Sequence, residues 1–316
     1  MTFATQSHWG VSIALYLFLG GMGAAGLAIA VLTDLHRPGG HRSLALWGVL
    51  GGIAALLVGS LLLFVHLLDP AAVYHVLNPM AVVNKPDSWI AWGTQFIVWT
   101  VVFGLLYIVP HLTESPLWRS LTGLGPLVKC EGAAKMAAWC RKTDRFLGWV
   151  AAIMAFGTAV YTGFLLQSFP AVALWHNPGT PVLFTISAFS TGLAFLLLGQ
   201  HFVIRDESDT RIRHLFERWD AILIGVELLV LAAFSTFTMG GSRSGTHSWA
   251  LLWGDWVWVI GFLVLGLIVP LALEIRGNVR PWRSPVPVAA ASILVLVGGY
   301  LLRHYFLAAG VYVYPW

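Results

Sequence analysis

Eight stretches of eighteen or more mostly apolar residues, at roughly 11–33, 43–69, 88–110, 146–169, 181–204, 217–239, 250–275 and 286–309, leave this protein few ways to fold. Each is long enough to cross a hydrocarbon core of about 30 Å at about 1.5 Å of helical rise per residue. With 58% of all residues hydrophobic and only 10% charged, no water-soluble domain could hide that surface, so it must face lipid. The sequence therefore reads as an all-α integral membrane protein of eight transmembrane helices. The first run, from Val11, has no basic segment ahead of it and is too long for a signal peptide core, so it is read as an uncleaved span.

Orientation follows from Lys and Arg. Of the 18, all but Lys85, Arg243 and Arg303 fall in the connections after the first, third, fifth and seventh runs. Basic residues collect on the cytoplasmic side, which puts both termini outside, in the periplasm, together with the stretch 64–93. The same bias accounts for the net charge of +4, so no nucleic-acid partner is expected. The longest polar connection, 112–145, reads as a cytoplasmic crossover loop between a first part of the helical domain, 1–111 with three spans, and the remaining five spans in 146–316. It holds Cys130 and Cys140, whose spacing matches no disulfide framework or zinc motif; both read as free thiols, and no metal site is expected.

Ionisable groups inside apolar runs are costly and mark candidate sites. His66 and Asp69 lie three apart, on one helical face at the outer end of the second run, where they either cap the helix or take part in chemistry. Tyr161 lies about 12 Å below the outer end of the fourth run, at a depth that suits a core tyrosine and a ligand contact equally. Glu227 is near the middle of the sixth run. Asp220 and Thr238 fall within about 20° of it on a helical wheel, forming a polar column that serves either as a proton relay or as a structural bond to a neighbouring helix. Asp255, Glu274, Arg303 and His304, near the ends of the last two runs, read as interface residues. The glycines at 20, 21, 23 and 26 and at 48, 51, 52 and 59 suit close helix packing, or a slot for a flat ring. The pairs His111 with His201 and His66 with His304 have the depth but no spacing signature for a bis-histidine haem, and none is expected.

The passages Leu15-Tyr16-Leu-Phe-Leu-Gly20-Gly-Met-Gly23-Ala-Ala-Gly26, Asp69-Pro70 to Ser88-Trp89, Tyr161-Thr162-Gly163-Phe-Leu-Leu with Leu174-Trp175-His176-Asn177, Gly261 to Glu274, and Gly298-Gly299-Tyr-Leu-Leu-Arg303 follow one another in an order that resembles the NrfD/polysulfide reductase membrane-subunit family over nearly the whole sequence. The resemblance implies an eight-helix subunit of the bacterial or archaeal cytoplasmic membrane that binds a quinone, menaquinone or ubiquinone, near the outer face. It implies a ferredoxin-like partner with four iron-sulfur clusters on that face, and a molybdopterin catalytic subunit beyond it. Tyr161 resembles a family tyrosine that contacts the quinone, and His66 and Asp69 resemble the polar end of the second span that reaches it. Some family members carry Asn-x-x-His early in the first span; Ile13 and Tyr16 stand there in this sequence, which makes Tyr16 the candidate contact.

Exchange with a quinone takes two electrons and two protons, with donors needed at both ring oxygens. Tyr161 suits one oxygen, and His66, oriented by Asp69, suits proton exchange with the outer aqueous phase. A non-catalytic anchor of the same kind of complex is the alternative reading. A secondary transporter is a further one, although the two halves show no paired broken helices.

Overall fold

The computed structural model describes residues 4–7, 9–36, 40–65, 73–114, 131–204, 210–280, 282 and 286–312. Among these there is no β-strand beyond two isolated bridges, and eight helices are long and apolar enough to cross a membrane. They are α1 (Val11–His36), α2 (Arg42–Val65), α5 (Trp89–Glu114), α7 (Asp144–Gln167), α8 (Gly179–Gly199, running on into a π turn, Gln200–Ile204), α9 (Thr210–Gly241), a π-helical stretch Val257–Ile268 continued by α11 (Val269–Val279), and α12 (Val286–Ala308). Four shorter helices, α3 (Val73–Leu77), α4 (Met80–Asn84), α6 (Glu131–Lys142) and α10 (Arg243–Gly254), lie in the connections. The protein is thus a multi-pass, all-helical membrane protein.

Two features depart from the expected spans. The sixth helix begins at Thr210 rather than near 217, so Glu217 lies inside it. The seventh does not begin near 250: residues up to Gly254 form α10, whose start is capped by Ser242 Oγ accepting from Gly245 N at 3.0 Å, and the backbone turns at Asp255. Asp255 Oδ1 then accepts from Val257 N at 2.8 Å and opens the membrane-crossing stretch. That stretch is wound as a π-helix to Ile268, and α11 follows from Val269 with Pro270 in its first turn, the part of an α-helix that best tolerates proline.

Helix α1 is the hub. It is apolar on every side and buried along most of its length, which is the condition for a helix inside a bundle rather than at its edge. It packs with α2 and α7 on one side, where α5 joins them, and meets α8 and α12 of a second group, α8, α9, α11 and α12, on the other. Glycine makes both approaches possible. A Cβ on Gly23 would lie 2.8 Å from the Gly52 carbonyl oxygen of α2, and one on Gly192 of α8 would lie 2.7 Å from the Gly26 nitrogen. Space at Gly48 and Gly51 is filled by Ala30 and Phe195. The glycines of the first two spans therefore serve helix packing, and protein atoms occupy what a flat ring would need.

The two ends of the described structure are tied together. Gln6 N donates to Gly310 O at 2.8 Å, and Gln6 Nε2 donates to the carbonyls of Trp9 and Leu307, each at 2.9 Å. Trp9 stacks on Trp175, whose Nε1 donates to Phe306 O at 2.9 Å. Both ends therefore lie at the same end of the bundle, as an even number of spans requires.

Candidate functional site

Tyr161 and Tyr16 sit in one contiguous buried cluster, with Ile13, Leu17 and Leu165, at the end of the bundle where the termini meet. The Tyr161 ring lies against the backbone of Gly93 on α5, where a Cβ of any other residue would collide with it. Three residues along α7, Phe164 stacks on Trp89 with ring centroids 4.3 Å apart and planes 12° from parallel. Tyr16 lies beside Gly59 of α2, which accepts its backbone closely. Trp89 and Phe164, both half-buried, thus stack face to face near Tyr161, and Tyr16 belongs to the same buried cluster. The connection 73–88 is tied to α5 at this end by Gln95 Nε2 donating to Leu77 O at 3.1 Å and Trp92 Nε1 donating to Pro86 O at 2.9 Å. His66 and Asp69, which follow the last residue of α2, lie outside the described residues.

The α5–α7 seam below Tyr161 carries further polar groups, at heptad spacing along α5. Thr100 and Thr158, both buried, share a hydrogen bond of 3.0 Å. Two turns further on, Tyr107 fits over Gly148 and donates from its hydroxyl to Asp34 Oδ2 of α1 at 2.7 Å. The same oxygen lies 3.1 Å from His111 Nε2, while His111 Nδ1 lies 3.2 Å from Tyr107 O. Both nitrogens of His111 are therefore engaged within the bundle, which leaves neither for a haem iron.

A second polar assembly lies between α8, α9, α11 and α12. Asp220 and Glu227 are buried on α9, on one face as their spacing requires. Asp220 Oδ1 accepts from Ser190 Oγ at 2.6 Å, and the carboxyl group of Glu274 on α11 lies near it. Glu227 faces Ser187 and the guanidinium of Arg303, which donates from Nη1 to Gly299 O at 2.7 Å and to Ser187 Oγ at 3.2 Å. Because Ser187 and Ser190 are one turn apart on α8, they link Arg303, beside Glu227, and Asp220 into a ladder; Glu217, near its end on α9, lies 3.4 Å from both Arg213 and His214. Thr238 shares the face of α9 but is cut off from Glu227 by buried Leu231 and Phe234; it accepts from Asn177 Nδ2 at 3.1 Å in a separate corner. Several buried atoms of the ladder have no partner among the described residues: Arg303 Nε and Nη2, Glu227 Oε1, Asp220 Oδ2 and Glu274 Oε2.

Arg303 and Glu274 correct the interface reading. Both are buried, Arg303 completely, because position along a span gives depth but not what neighbouring helices cover. The extended start of α9 covers Glu274, while Gly21 and Gly299 leave the room that Arg303 occupies. Asp255 caps a helix and His304 stacks on Tyr300, as groups near helix ends do. Among the described residues no three His, Cys, Asp or Glu side chains gather as a metal site. Cys140 is buried on α6; its thiol is pushed up by burial, with Asp144 adding to the effect, and Cys130 lies outside the described residues.

The family model described as polysulphide reductase, NrfD, matches residues 2–315. The protein belongs to this family. Its relatives include NrfD of Escherichia coli, 28% identical over 313 residues that cover 96% of this sequence and 94% of the relative. The NrfD homolog of Haemophilus influenzae is 27% identical with the same coverage, and the polysulfide reductase C chain of Wolinella succinogenes is 27% identical over 96% of this sequence and 93% of the relative. In this NrfD-family protein, the motifs that carry the resemblance fall on structural joints: Gly20 to Gly26 on the α1 seams, Trp175 and Asn177 on the terminal clamp and the Thr238 corner, and Gly299 to Arg303 on the buried ladder.

Proposed function

We propose that this protein is the quinone-reactive membrane subunit of a respiratory oxidoreductase complex, exchanging electrons between the quinone pool of a bacterial or archaeal cytoplasmic membrane and an iron-sulfur subunit. The observation that carries this is the burial of two phenols, Tyr161 and Tyr16, in one aromatic cluster with Trp89 packed against it, in an NrfD-family bundle. One relative is named as the C chain of a polysulfide reductase, which implies companion polypeptides; a four-cluster ferredoxin-like subunit on the outer face and a molybdopterin subunit beyond it are the proposed partners.

The residues present suit a quinone headgroup, whether menaquinone or ubiquinone. A flat ring needs an apolar face to lie on, which an outer face of the Trp89–Phe164 stack would offer, and hydroxyl donors near its oxygens, which the two tyrosines would offer. Bound there, the quinone supplies two-electron chemistry coupled to two protons. Tyr161, fixed by Gly93, would donate a hydrogen bond at one oxygen; Tyr16 would orient the ring; His66 and Asp69 would move the proton to the outer aqueous phase. In the assembled complex, Tyr161→Phe should lower quinol turnover about tenfold, the worth of one buried hydrogen bond, with subunit composition unchanged. Unchanged turnover in that variant and in His66→Ala would reduce the protein to a non-catalytic anchor. Solute exchange by the isolated protein in liposomes, without quinone reactivity, would make it a transporter.

The orphaned polar atoms of the Asp220–Glu227–Arg303 ladder support a second activity, passage of protons along α9 between Asp220 and Glu227, with Thr238 outside the path. Buried groups that could each hold or release a proton, spaced a turn or two apart, are what such a path needs. In liposomes containing the complex, Glu227→Gln should abolish proton translocation and leave quinol oxidation running. Translocation equal to that of the unaltered complex would end the reading.

A further inference from the structure

At the end of the bundle opposite the two phenols, α1, α8 and α9 part to leave a cavity of about 500 Å³. Its walls are apolar: Leu193 at the back, and Leu32, Leu215 and Trp219 at the mouth. The three residues at the mouth are exposed on the perimeter of the bundle, so the cavity opens sideways into the bilayer rather than into the protein. Its rim is basic, with His36 in the last turn of α1, His41 just before α2, and Arg211 in the first turn of α9. Among the described residues no acidic side chain lines it. The described carboxylates nearest in sequence are occupied elsewhere, Glu217 by Arg213 and His214, and Asp34 by Tyr107 and His111.

An apolar trough open to lipid, closed at headgroup depth by three basic side chains, fits a molecule with a long hydrocarbon tail and an anionic head. A quinone is neutral at its head and offers no charge to the rim; a free phosphate would leave the trough unfilled. We propose that this cavity is a binding site for an anionic phospholipid, with the phosphate on His36 and Arg211 and an acyl tail along Leu32, Leu215 and Trp219. Basic pockets between membrane helices on the side where Lys and Arg collect are suited to such heads, and an occupant here would fill the gap between α1 and α9, which belong to different helix groups and do not pack closely on each other. The site is separate from the proposed quinone chemistry and does not depend on it.

The test uses the full-length protein, purified in mild detergent and stripped of lipid, then offered phosphatidylglycerol, phosphatidylcholine of the same acyl composition, or glycerol phosphate. Bound molecules are counted by native mass spectrometry. The unaltered protein should retain phosphatidylglycerol about tenfold over phosphatidylcholine, and equimolar glycerol phosphate should not displace it. His36→Gln with Arg211→Gln should remove that preference. Leu215→Trp, an exposed perimeter change that fills the trough and spares the rim, should lower retention of both lipids; it decides the matter if the double variant unfolds early. Equal retention of the two lipids by the unaltered protein, displacement by glycerol phosphate, or retention unchanged in Leu215→Trp would overturn the proposal.

Discussion

Arg303 illustrates what a single residue is worth inside a bilayer. Its guanidinium is completely buried, between Phe18 and Phe184, and is held by Gly299 O and Ser187 Oγ, with the Glu227 carboxyl group nearby but not bonded to it. Two opposite charges buried near each other offset each other's desolvation, and removing one leaves the other uncompensated at a cost of up to about 3–5 kcal/mol. Arg303→Met should therefore lower the unfolding temperature in detergent sharply, and Arg303→Met with Glu227→Gln should recover much of the loss. If the double variant melts no higher than the single, the two side chains are not energetically paired. Gly21 belongs to the same account: a Cβ there would lie 3.2 Å from Arg303 Nη2, so this glycine is part of the charge's binding site. Nothing in the linear pattern links residues 21 and 303.

At the scale of the element, α1 is defined by what it lacks. Its glycines let α2 and α8 approach to backbone contact on two sides, and in lipid, where no hydrophobic force draws helices together, close packing is the main source of cohesion. Gly23→Val should force α1 and α2 apart against the Gly52 carbonyl and cost about 3 kcal/mol or more, since neither backbone can yield as a side chain does. The measurement is thermal or denaturant unfolding in micelles. Stability within about 0.5 kcal/mol of the unaltered protein would mean that the seam is looser than the structure shows. The π-helical stretch before Pro270 is the other element-scale feature, and there the glycines of the seventh and eighth spans meet: a Cβ on Gly266 would lie 2.6 Å from Gly298 Cα.

For the whole molecule, the ends matter as much as the spans. Gln6 closes the bundle by joining the N-terminal segment to the last turn of α12. Gln6→Ala removes three side-chain bonds, two donated by Nε2 and one accepted by Oε1 from Trp9 N, worth about 2–4 kcal/mol together, so local opening should increase while the spans stay intact. Hydrogen exchange should rise at residues 4–10 and 305–312 alone. A uniform rise throughout would show that the clamp holds up the global fold.

The apolar run lengths alone determined that eight helices cross the membrane, because a backbone in hydrocarbon must bond to itself and only a helix does so within one segment. The order of motifs pointed to the NrfD family. Asp220 and Glu227 were legible because helical periodicity is local, and the common burial of Tyr161 and Tyr16 matched their depth along their spans. Only the tertiary structure decided that Arg303 and Glu274 are interior groups, that Thr238 is cut off from Glu227, and that Asp34 meets Tyr107 and His111. Each depends on which face of one helix meets which face of another across tens or hundreds of residues, and the glycine contacts that set those pairings carry no periodic signal. A sequence encodes the depth of a residue along its own helix; its partners are fixed only when the helices pack.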